Sequence, residues 1–179
     1  MQKSKKLNNN KDVLVISLGD PAGIGTEITL KALGSKRLNK KIQPLLVGCK
    51  NNIYQTYSKL INYGINNIPD PKNLDIIDIP IEKEIIPGKV DKASGAASFK
   101  WLVNATNILL EGKGKALVTA PISKIAWHKA GHKFAGQTEL LGKLSNRKTS
   151  MLFTAISPNN GWRFNTLLAT THIPINQIN

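Results

Sequence analysis

Three histidines, one cysteine and 11 carboxylates are the side chains that could hold a metal or move a proton in this 179-residue chain. Their spacing narrows the choice. His172 follows an apolar, strand-like run, FNTLLATT (Phe164 to Thr171), where open α/β sheets hold their ligands. A neutral imidazole there can bind a divalent metal, but a site needs three or more ligands and the chain offers His172 no convincing partners. His128 and His132 stand four residues apart, yet Gly131 is expected to end the helix before the second ring is reached. The pair therefore reads as surface histidines. Cys49 lies in the apolar run LLVGC and reads as a buried, inert thiol. There is no GxSxG elbow, no P-loop and no paired-carboxylate motif, which argues against hydrolase and kinase chemistry.

The stretch with the most unusual residues is TAPISKIAWHKAGHKFAGQTE, Thr119 to Glu139. An apolar strand, ALVTA, runs into Pro121, which fixes φ and cannot continue a sheet ladder. Ser123 stands at a helix N-cap, Lys124 to Ala130 give one or two turns, and Gly131 suits the left-handed position beyond them. FAGQTE then opens a further helix with Thr138 and Glu139 near its start. Two helix starts beside one strand end would aim backbone N–H groups at a single crevice, an arrangement suited to an anionic ligand.

The other elements must bring loops to this crevice. Residues 1–11 form a polar, basic tail with nothing to bury. Val13 to Leu18 is a continuous apolar run, expected as a buried central strand, and GDPAGIGTE (Gly19 to Glu27) is a glycine-rich turn into a helix, ITLKALGSKRL. Gly23 and Gly25 would allow close approach of a ligand or a neighbouring element, and Asp20 could cap or coordinate. The spacing is not GxGxxG, so it carries no dinucleotide fingerprint. Pro44 to Gly48 is a second strand, about Asn51 to Tyr63 a helix, Asp75 to Ile81 a third strand and IIPGKV (Ile86 to Val90) a turn. Asp91 to Glu111 reads as a long amphipathic helix with Ala97, Trp101, Ala105 and Ile108 on one face. Its run Ser94, Gly95, Ala96, Ala97 predicts close packing against another helix. A helix near Gln137 to Leu144 follows, then two strand-like runs, Ser150 to Ile156 and Phe164 to Thr171, joined by the turn residues Pro158-Asn159-Asn160-Gly161 as a hairpin. The pattern is α/β, a mostly parallel sheet flanked by helices plus a β-hairpin.

The formal net charge of +14 raises the question of nucleic acid. Only three of the 25 basic residues are Arg (Arg37, Arg147, Arg163), and the lysines are scattered without interleaved aromatics. Bidentate base readout and base stacking are both poorly served, so neither nucleic acid nor a membrane is an expected partner. The apolar run VLVISL is too short for a signal-peptide core or a membrane span, and a single cysteine fits a reducing compartment, so the cytoplasm is the expected location.

Four motifs in order, GDPAGIGTE, TAPISK, FAGQTE and LATTHIPI, resemble the PdxA family of 4-hydroxythreonine-4-phosphate dehydrogenases, and the resemblance runs from Val13 to Asn179. It implies an isopropylmalate-dehydrogenase-like fold, a homodimer, NAD, and a divalent metal (zinc, magnesium or cobalt) held between subunits. The implied reaction is oxidation of a small phosphorylated hydroxy amino acid, 4-phosphohydroxy-L-threonine, and decarboxylation of the 3-oxo product to 3-amino-2-oxopropyl phosphate, in pyridoxal phosphate biosynthesis. By the resemblance the metal would polarise the substrate's 3-hydroxyl. His172 matches the first of three metal-ligand histidines, and Gln137 with Thr138 matches the pair that contacts the substrate. Where this chain has Gln137 the family more often has His; an amide donates and accepts hydrogen bonds but carries no proton at neutral pH.

Family members are roughly twice as long, a size that suits two domains. The resemblance therefore implies that 12–179 is the N-terminal part, that the other metal histidines, the phosphate site and most of the NAD pocket lie in a half absent from this chain, and that the chain alone is inactive. Two alternatives stand beside this reading: a dehydrogenase of another four-carbon acid phosphate, such as threonate or erythronate 4-phosphate, and a non-catalytic half-enzyme remnant.

Overall fold

The computed structural model describes residues 12–37, 41–170 and 175–177. Within them the chain divides into two compact units, one reaching Ala135 and one starting at Gly136. The proposed tail, residues 1–11, lies outside the described residues.

The first unit is built on a four-stranded parallel sheet in the order β3-β2-β1-β4. β1 (Asp12–Ser17) and β2 (Ile42–Gly48) are the inner strands, and β3 (Asp75–Asp78) and β4 (Ala116–Thr119) the outer ones. The expected central strand is thus confirmed, with Val15, Ile16 and Leu18 buried. Parallel crossovers follow a right-handed rule, which puts α1 (Gly25–Leu33) and α2 (Lys50–Asn62) on one face, where they contact each other. The chain then crosses back through α3 (Lys92–Leu110), which lies on the other face against β1, β2 and β4. Leu30, Leu46, Val47, Ile53 and Trp101 fill the core between these layers, and Cys49 is a buried free thiol beside them.

Several boundaries move for physical reasons. Helix α1 begins inside the glycine turn, at Gly25, and stops at Leu33, so Ser35, Lys36 and Arg37 are not helical, and Leu38 lies outside the described residues. Gly34 leaves the helix where a Cβ would fall 1.9 Å from the carbonyl oxygen of Asn67. β3 ends at Asp78, short of Ile81, because the Ile79 carbonyl turns to accept the Trp101 indole N–H at 3.1 Å and Pro80 follows. Asp78 itself accepts the Lys50 N–H at 2.8 Å, capping α2 from outside where Cys49 offers no side-chain cap.

Helix α3 takes the face read from its periodicity. Trp101 and Ala105 are buried in the core, and Ala97 and Ile108 pack partly buried against it. Asp91 caps its start, accepting the Ser94 N–H at 2.8 Å. The small-residue run meets α4 (Lys124–Lys129): a Cβ on Gly95 would lie 2.0 Å from the carbonyl oxygen of Ala126. The two backbones touch there.

The second unit holds α5 (Gln137–Ser145) and an antiparallel hairpin of β5 (Leu152–Ile156) and β6 (Arg163–Leu167). Its turn contains Gly161 at φ +71°. Asn146 ends α5 in the left-handed conformation, φ 52°.

The contact at Gly95 makes a sharp test. Gly95→Val should destabilise the chain by about 1–3 kcal/mol through overpacking, whereas Ala96→Val, on the exposed side of the same turn, should cost well under half of that. Equal urea midpoints for the two variants would refute the close α3–α4 approach.

Candidate functional site

In an open parallel sheet, ligands bind beyond the carboxyl ends of the strands, where the winding reverses. Here the reversal falls between β1 and β4. Two loops meet at that point, the glycine-rich turn after β1 and the proline turn after β4. The Asp20 N–H donates to the Pro121 carbonyl at 2.9 Å, and the Ala120 N–H to the Ser17 carbonyl at 2.9 Å. Gly19 makes this approach possible: it sits at φ +72°, and a Cβ there would lie 2.2 Å from the Pro121 carbonyl oxygen.

Asp20 is buried in the turn and its carboxylate accepts the Ala22 N–H at 2.9 Å. Of the two roles open to it, the structure shows the capping one. Gly25 belongs to close chain packing, since a Cβ would stand 2.1 Å from the Leu18 carbonyl oxygen, while Gly23 is exposed with no comparable crowding. The two glycines of the motif therefore do different work.

On the β4 side, Ser123 caps α4 as its type and place predict, accepting the Ala126 N–H at 3.2 Å. Trp127 is buried, its indole N–H donated to Ser98 Oγ at 2.9 Å. Gly131 takes φ +91° just past the helix, and the His132 N–H returns to the Trp127 carbonyl at 2.9 Å. The histidine pair separates as expected, because α4 stops at Lys129. His128 is exposed, with Nε2 3.2 Å from the Phe134 carbonyl oxygen. His132 is not a plain surface histidine: it is half-buried and stacks on Phe99 with ring centroids 3.6 Å apart and planes 4° apart. Its place depends on Phe99, more than thirty residues earlier, and no local pattern announces such a partner.

A groove of about 1380 Å³ also lies in the first unit, lined by residues that include Thr26, Asn52, Gln55, Ile81, Glu82 and Pro87. The Gly88 N–H pins the irregular segment that borders it to the Ala22 carbonyl at 2.7 Å. The turn at Ile86 to Val90 was legible, but the groove beneath the preceding residues was not.

Gln137 and Thr138 stand together in the first turn of α5, in the second unit, both half-buried. Gly136 is the N-cap and supplies no side chain, and Glu139 completes the first turn. The Thr138 carbonyl accepts the Thr149 hydroxyl at 3.3 Å, tying the helix start to the approach to β5. His172 lies outside the described residues. Among the described residues, no three His, Cys, Asp or Glu side chains gather as a metal site, and no helix is long and apolar enough to cross a membrane.

A family model described as pyridoxal phosphate biosynthetic protein PdxA matches residues 35–179. A 4-hydroxythreonine-4-phosphate dehydrogenase of Synechococcus sp. (strain RCC307) is 51% identical over 166 residues, 92% of this chain and 50% of the relative. A D-threonate 4-phosphate dehydrogenase of Pectobacterium atrosepticum is 34% identical over 147 residues, 76% of this chain and 45% of the relative. The crystal structure of a 4-hydroxythreonine-4-phosphate dehydrogenase from Burkholderia phymatum superposes with a TM-score of 0.75 at 24% identity, covering 93% of this chain and 52% of that one, which supports the fold. The chain spans about half the length of the curated relatives it matches.

Two measurements probe this geometry. Gly19→Ala should destabilise the chain by at least about 1–2 kcal/mol, since a left-handed backbone and a blocked carbonyl act together; an unchanged melting midpoint would refute the loop contact. Burial holds the His132 pKa below the ordinary histidine value. The folded chain then binds fewer protons than the unfolded chain as pH falls through roughly 6.5, so this ring's contribution is kept above that pH and lost below it. From about pH 7 to 5 the native chain should lose stability faster than His132→Phe, and parallel stability curves would contradict this.

Proposed function

Because the chain belongs to the PdxA family, we propose that it contributes to an NAD-dependent dehydrogenase that oxidises 4-phosphohydroxy-L-threonine and decarboxylates the product to 3-amino-2-oxopropyl phosphate, a step of pyridoxal phosphate biosynthesis. The observation that carries this reading is the 51% identity to the Synechococcus dehydrogenase across 92% of the chain. Homodimer formation and a cytoplasmic location belong to the same proposal.

In this reading Gln137 and Thr138 bind the substrate from the start of α5. The Thr138 hydroxyl can donate one hydrogen bond and accept others, and the Gln137 amide can do both at once. The amino end of a nine-residue helix favours a substrate anion beside it. Neither side chain exchanges a proton with the substrate at neutral pH, so Gln137 orients and does not serve as acid or base.

A bound nicotinamide would accept the hydride, and a divalent ion (zinc, magnesium or cobalt) would polarise the hydroxyl. His172 is the ligand proposed from this chain. The described residues do not form the rest of a ligand set, so no step is routed through the ion.

A second reading has one observation in its favour. The Pectobacterium relative, 34% identical over 76% of this chain, is named for D-threonate 4-phosphate. Joining this chain to the remaining half of the Synechococcus relative gives a family-length protein for the comparison. We expect NAD reduction with 4-phosphohydroxy-L-threonine and little with D-threonate 4-phosphate; the reverse preference would install the second reading. In that protein Thr138→Val should lower kcat/KM roughly tenfold to a hundredfold through loss of a hydrogen bond to a charged substrate. An unchanged kcat/KM would remove Thr138 from the site.

A further inference from the structure

The turn that joins β5 to β6 places a weak electrophile beside its own nucleophile. Asn160 is followed there by Gly161, the one Asn-Gly pair in the sequence; every other asparagine with a residue after it precedes one that bears a Cβ. Both turn residues are exposed. Asn-Gly suits a hairpin because glycine accepts a positive φ, here +71°. The missing Cβ also leaves the Gly161 nitrogen open to approach from the Asn160 side chain.

The hydrogen bonds of the turn both prepare and restrain that approach. Asn160 Oδ1 accepts the Trp162 N–H at 3.0 Å. The side-chain carbonyl is thus turned towards the chain that follows, across the Gly161 peptide, and a donor already stands where negative charge would gather if Cγ were attacked. The Gly161 nitrogen is guarded. Its N–H donates to the Ser157 carbonyl at 3.0 Å, inside a loop closed by the Ser157 N–H on the Trp162 carbonyl at 2.8 Å. An amide nitrogen attacks only after it loses its proton, so this bond must open first, before the donor on Oδ1 can help.

We propose that Asn160 is a self-modification site, its side chain closing on the Gly161 nitrogen at a rate set by opening of the Gly161–Ser157 hydrogen bond. Hydroxide takes the Gly161 amide proton, the nitrogen bonds to Asn160 Cγ, and the Cγ–Nδ2 bond breaks, the amine leaving as ammonia with a proton from water. Water then opens the cyclic imide at either carbonyl, which leaves aspartate or isoaspartate. No oxidation state changes. Either product adds a negative charge at neutral pH. Isoaspartate also routes the main chain through the former side chain, one methylene longer, which spoils the closure between Ser157 and Trp162 and the pair Ile156↔Arg163 beyond it. The proposal is independent of the substrate reading, and its test does not involve turnover.

The full chain, aged in mildly alkaline buffer and then cut after Lys148 and Arg163, yields a peptide whose asparagines are Asn159 and Asn160. That peptide should exchange an amide for an acid, read by mass, at least about fivefold faster than any other asparagine peptide of the folded chain, because a following Cβ hinders the others. Asn160→Ser should abolish the change, and Asn159→Ser should leave it. A protease that cuts before aspartate but not before isoaspartate separates the two products. In the chain unfolded by guanidinium the conversion should run roughly twofold to tenfold faster, the worth of the one hydrogen bond that the folded turn holds. Conversion at Asn159 in place of Asn160, or none in the folded chain while the unfolded chain converts completely, would overturn the site. Conversion as fast in the folded chain as in the unfolded one would overturn the restraint by Ser157.

Discussion

A single backbone contact sets the terms for the first unit: the Asp20 N–H meeting the Pro121 carbonyl at 2.9 Å across a residue with no side chain. Two loops that leave neighbouring strands in different directions are joined at the point where the sheet reverses its winding. The contact is possible because Gly19 occupies the left-handed region and presents only hydrogen to the opposing carbonyl. From it follow the direction of α1, which starts six residues later at Gly25, and the position of Ser123, which starts α4 two residues beyond Pro121. Glycine-rich turns of this kind are easily read as ligand cradles. Here Gly19 and Gly25 are consumed by chain packing, and only Gly23 remains open.

The second set of constraints runs through α3. One side of that helix carries Trp101 and Ala105 into the core beneath the sheet, and its small-residue start lets α4 approach until backbone touches backbone at Gly95. Ser98 then receives the Trp127 indole N–H, and Phe99 receives the His132 ring. A short six-residue helix has little stability of its own; α4 is held by these partners and by Ser123 at its cap.

Much of this was legible because it is local. Apolar runs bounded by Gly and Pro marked β1, β2 and β4, the 3.6-residue period marked α3, and the residue types at Ser123 and Gly131 marked both ends of α4. What could not be read depends on residues far apart in sequence. The early end of β3 is set by Trp101, 22 residues further on, and the half-buried state of His132 is set by Phe99. At the candidate site, the adjacency of Gln137 and Thr138 at a helix start follows from FAGQTE itself, with Gly136 as the cap. His172 lies outside the described residues, and its proposed role rests on the resemblance alone.

The three tryptophans are divided between the units in a way that gives the chain its own optical labels. Trp101 and Trp127 are buried in the first unit, each with its indole N–H bonded inside the protein, whereas Trp162 stands exposed at the hairpin turn beside Phe164. An indole in a dry interior emits at shorter wavelength than one in water. The blue part of the emission therefore belongs to the sheet and its helices, and the red, readily quenched part belongs to the hairpin. Unfolding of the first unit and covering of the second would move the spectrum in opposite directions, so the two events can be told apart without attaching any dye.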